Sequence, residues 1–174
     1  MTVCIISIDH YFQYVEAETD PQVLRALKER LRGVLEQVLS TSTIGIVFEE
    51  PSPNKASIAQ ELAQKAAIPW LNTCTTTDER IAAGIFDALR NRPGSPDWDD
   101  MSFLIEFRIP EDEIREAYFV QRIEGATEPR QKTLVLLGDM HVREFANARS
   151  NRGHRVEIVQ KLVPKKRSAN PGEF

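Results

Sequence analysis

Cysteine is nearly absent: two residues in 174, Cys4 and Cys74, which excludes a disulfide-built scaffold and fits reduced thiols. No apolar stretch approaches the roughly 20 residues of a membrane helix, and the first residues, Met-Thr-Val-Cys-Ile-Ile, lack the basic leader and apolar length of a signal peptide. A cytoplasmic protein that spans no membrane is the expectation. Basic excess is missing too. With 22 Lys and Arg against 26 Asp and Glu the net charge is −4, so no nucleic-acid partner is expected. Glycine is sparse, eight residues, and none forms the G-x-G-x-x-G or G-x-x-x-x-G-K-[ST] pattern that cradles nucleotide phosphates. No nucleotide cofactor is expected.

What remains is ordinary globular composition, 41% hydrophobic and 28% charged, arranged in alternating short apolar runs and amphipathic stretches. Val3–Ile8 reads as a first buried strand, Ile44–Phe48 as a second and Leu134–Leu137 as a fourth. Ile68–Leu71, with a proline that cannot donate to a ladder, suits an edge, and Arg155–Val159 is the last strand. Between them, Asp20-Pro21 opens a helix with an apolar stripe at Leu24, Leu27, Leu31, Val34, Leu35 and Val38. Ile58, Ala59, Leu62, Ala63 and Ala66 mark a second helix, and Asp78 caps a third carrying Ile81, Ile85 and Leu89. Residues 91–100 read as a loop, and 101–107 fit a short helix or an extra strand equally. Pro110 opens a helix with Ile114, Ala117, Tyr118 and Ile123 inward, and a short helix over Val142–Arg149 follows the turn Gly138–His141.

This alternation predicts an α/β fold: a three-layer, doubly wound, mostly parallel five-stranded sheet in the order 3-2-1-4-5 with helices on both faces. Residues 1–163 form its one domain, and 164–174 a flexible polar tail.

Ligands of such sheets bind outside the carboxyl ends of the strands, where strand order reverses. Two of the three histidines, His10 and His141, stand just beyond strands one and four, the expected neighbours there. Glu49 and Glu50 end strand two, one of them facing the site by alternation, and Asp139 lies beside His141. Imidazoles and carboxylates in this number suit Zn²⁺, Mn²⁺, Fe²⁺ or Ni²⁺, with His10, Glu49, Glu50, Asp139 and His141 as candidate ligands. A metal would lower the pKa of bound water; without one, a carboxylate or imidazole would act as general base, with Arg115 or Arg80 holding developing negative charge. Both routes lead to hydrolysis. The other reading is a non-catalytic module binding a small ligand or a protein, and a homo-oligomer fits either.

Three weaker signals point elsewhere. Cys74 and Arg80 have the C-x5-R spacing of thiol phosphatases, but the intervening Thr-Thr-Thr-Asp-Glu has no glycine and two acids that repel phosphate. His154 reads as structural, and the acidic run Asp97–Asp100 as a solvated loop.

A histidine after the first strand, glutamates after a later one, Arg115-Glu116 on a helix and Gly138-Asp139-Met140-His141 after a subsequent strand resemble the group that joins erythromycin esterases, ChaN-type haem-binding lipoproteins and TraB/Tiki-type proteins. The resemblance implies a hydrolase with His10 and Glu50 as base or ligands, Arg115 as anion holder and His141 as ligand or acid. The first histidine departs from the group's G-x-x-H, reading Ser7-Ile8-Asp9-His10, and the insertions that form substrate domains are missing.

Overall fold

A computed structural model describes residues 1–8, 22–50, 56–74, 77–82, 116–128 and 131–162. Five strands, all parallel, form one sheet: β1 (Thr2–Ile8), β2 (Ile44–Glu49), β3 (Trp70–Asn72), β4 (Lys132–Gly138) and β5 (Arg155–Leu162). The helices are α1 (Gln22–Thr41), α2 (Ile58–Lys65), α3 (Thr77–Ala82), α4 (residues 116–126) and α5 (Asp139–Asn151).

Side-chain alternation in the strands divides the core into two layers. Cys4, Ile6, Ile8, Val47, Leu134 and Leu136 pack under Leu31 and Leu35 of α1 and Ile58 and Leu62 of α2. On the opposite face Val3, Ile5, Phe48, Val135 and Leu137 pack under Phe119 and Ile123 of α4 and Val142 and Phe145 of α5. Strands buried on both faces read as continuous apolar runs, which is why β1, β2 and β4 were legible as strands. The α/β class and the helices on both faces are as the sequence predicts.

The strand order is β3-β2-β4-β1-β5, not 3-2-1-4-5: β4 lies between β2 and β1. Strands two and one are therefore not neighbours. The physical reason is that β1 and β4 have the same burial pattern, half-buried at the first residue and buried at every other, so hydrophobicity cannot rank them laterally. The edges are distinguishable, because β3 is three residues long and β5 is buried only at its last residue.

Local boundaries differ in two places. The fifth helix begins at Asp139, so His141 sits in its first turn and not in the turn before it. On α4 the inward stripe is Phe119, Val120 and Ile123, a helical spacing, while Ala117 is exposed and Tyr118 half-buried. The expected cap at Asp20-Pro21, the positions of Ile85 and Leu89, residues 91–107, the helix start at Pro110 and the tail 164–174 lie outside the described residues.

Two helix ends turn through left-handed backbone. Gly153 (φ 77°) follows α5, with its N–H donating to Ser150 O at 2.9 Å and that of His154 to Arg149 O at 3.2 Å. Ala67 (φ 56°) does the same after α2, where Ile68 N–H donates to Ala63 O at 2.9 Å. An alanine there carries a Cβ penalty that glycine lacks. Ala67→Gly is expected to raise the unfolding free energy by up to about 1 kcal/mol in urea denaturation, the relieved strain exceeding the added unfolded-state entropy. Phe48→Ala, which empties a fully buried site between β2 and α4, is expected to cost about 3–5 kcal/mol in the same assay.

Candidate functional site

Strand order decides where the crevice lies. The connection leaving β2 leads outward to β3 through α2 on one face, and the connection leaving β4 leads the other way, through α5 on the opposite face, to β5. Adjacent strands whose connections diverge define the switch point, so it falls between β2 and β4. The sequence expectation had placed it between β1 and β4. Glu49 and Glu50 stand at one strand end of this crevice, and Asp139 and His141 follow the other.

The expected cluster separates into three groups. Glu49 is fully buried, and its Oε2 accepts hydrogen bonds from Ser57 Oγ and, at 2.9 Å, from Trp70 Nε1. Ser57 is the N-cap of α2 and also accepts from Gln60 N–H, at 3.0 Å. The Glu49 carbonyl accepts from Thr73 N–H at 2.7 Å and Thr73 Oγ1 at 3.0 Å. Glu49 thus fastens β2 to β3 and to the start of α2, on the α1/α2 face. Glu50, 4% exposed, follows it at the strand end.

Asp139 forms the second group. Its Oδ1 accepts from Ser7 Oγ at 2.6 Å and from Lys161 Nζ at 3.2 Å, joining the ends of β1 and β5 to the first residue of α5. Ser7 is fully buried, on the strand face turned to α5. The Ser7 hydroxyl, more than Lys161, holds the Asp139 carboxyl below the usual carboxylate range.

His141 forms the third, on the α4/α5 face. Its Nδ1 lies 3.4 Å from Glu116 Oε1, and its ring meets Phe119 edge-on at a centroid distance of 6.4 Å. His141 is 8% exposed. Donation from Nδ1 to an ionised Glu116 is the arrangement open to the tautomer that leaves the acceptor lone pair on Nε2. Glu116, adjacent to the expected Arg115, is the partner that the sequence reading noted without assigning a role. It stands three residues before Phe119 and four before Val120, and that spacing was the signal that its side chain turns inward.

Arg122 of α4 secures the same end of the sheet, donating to Asn72 O at 3.1 Å, to Cys74 O at 3.2 Å and to Glu79. His10 and Arg115 lie outside the described residues, as does the side chain of Arg80. Glu49 and His141 sit on opposite faces of the sheet. Among the described residues no three His, Cys, Asp or Glu side chains form a metal-binding group.

At the opposite end of the sheet, Arg149 is fully buried, with Nη1 donating to Glu124 Oε1 at 3.1 Å. Burial lowers the pKa of its guanidinium, Glu124 opposing that effect. Nearby His154 is pushed down by burial and then by the Arg149 charge, in keeping with a structural role.

Two outcomes are expected. Because the folded pKa of Asp139 is depressed, its contribution to stability is present above the unfolded carboxyl pKa, near 3.8, and is lost as pH falls through the folded value. Ser7→Ala is therefore expected to flatten the acid limb of the stability–pH curve and leave it unchanged where all carboxyls stay ionised in both states, apart from a constant offset. Ser57→Ala removes both a helix cap and a donor to buried Glu49, and is expected to cost about 1–3 kcal/mol in chemical denaturation.

The chain matches no family model, no curated protein and no solved structure.

Proposed function

We propose that this is a hydrolase-like α/β protein whose site lies at the carboxyl edge of the sheet on the α4/α5 side, where His141 acts on water as general base and Glu116 orients it. One observation carries the reading: a nearly buried His141, in the first turn of the helix that leaves β4, with its Nδ1 3.4 Å from the Glu116 carboxylate. The pair has the parts that proton abstraction from water requires, and the helix start beside the switch point gives it the expected location for a ligand. The substrate is a small molecule. On the resemblance given above, His10 and Glu50 would add a second base or ligand and Arg115 would hold developing negative charge.

No step in this proposal passes through a metal; among the described residues no three His, Cys, Asp or Glu side chains form a metal-binding group. A divalent ion here would draw on His10 in addition to His141 and Glu50. Glu49 is the poorest candidate ligand, since Ser57 and Trp70 already occupy its Oε2.

The alternative, a non-catalytic module for a small ligand or a protein, is favoured by one feature: Glu49 and Asp139, two of the expected site acids, are held in bonds that tie the fold together.

Turnover separates the two. The wild-type protein is expected to hydrolyse p-nitrophenyl acetate or p-nitrophenyl phosphate, and His141→Ala to lose about 10²–10⁴-fold of the rate while keeping the melting temperature within a few degrees. Wild-type protein without turnover, or His141→Ala with undiminished turnover, refutes the hydrolase. In parallel, Zn²⁺, Mn²⁺, Fe²⁺ and Ni²⁺ are titrated against the melting temperature: a rise abolished by both His10→Ala and His141→Ala establishes a shared ion, and no rise removes the metal from the proposal.

A further inference from the structure

We draw no further inference here: the strongest candidate, the outer edge of β5 with half-exposed Ile158 and Val159 at its centre, is a strand edge without a partner among the described residues, and nothing in the structure shows what covers it.

Discussion

The position of β4 between β2 and β1 is the constraint on which the site depends. Because β4 pairs with β2 on one side and β1 on the other, its end brings Asp139 and His141 to the middle of the sheet. Because its connection leaves on the face opposite to that of β2, the two strand ends diverge and open the edge between them. The rest follows from alternation. Leu134 and Leu136 anchor the α1/α2 layer, Val135 and Leu137 the α4/α5 layer, and each strand-end polar group is assigned to a face by its place in that sequence.

The same alternation divides the strand-end acids by role. Glu49 falls on the face where α2 begins, and a carboxylate buried there is tolerable only with donors, which Ser57 and Trp70 supply. Asp139 falls at a helix start, where negative charge is favoured, and Ser7 and Lys161 add to that preference. Both acids therefore stabilise the fold by bonds between separate elements. His141 differs in being an imidazole beside a carboxylate, a pair that can move a proton, whereas the bonds of Glu49 and Asp139 to hydroxyl, indole and ammonium groups serve mainly to hold. That difference is why the functional reading rests on His141 and not on the acids.

Much of this was legible in the sequence, and for definite reasons. The runs Val3–Ile8 and Leu134–Leu137 are apolar on both sides of the pleat, so they reported buried parallel strands. Pro69 and the short apolar stretch beside it reported an edge, and β3 is one. Lateral order was not legible, because β1 and β4 bury the same positions and no local pattern distinguishes the neighbour of β2. Nor was the separation of Glu49 from His141, which arises only once order and face are both known. The Glu116 contact with His141 spans 25 residues between two helices, a tertiary relation that spacing within one helix cannot reveal.

The central claim is that Glu116 fixes the tautomer of His141, leaving Nε2 as the nitrogen that acts on water. Nitrogen-15 NMR of the imidazole, with the neutral ring populated, tests it most directly. The account predicts that His141 carries its proton on Nδ1 in the wild type and that this preference weakens in Glu116→Gln. A proton on Nε2 in the wild type, or a tautomer indifferent to Glu116, would contradict it.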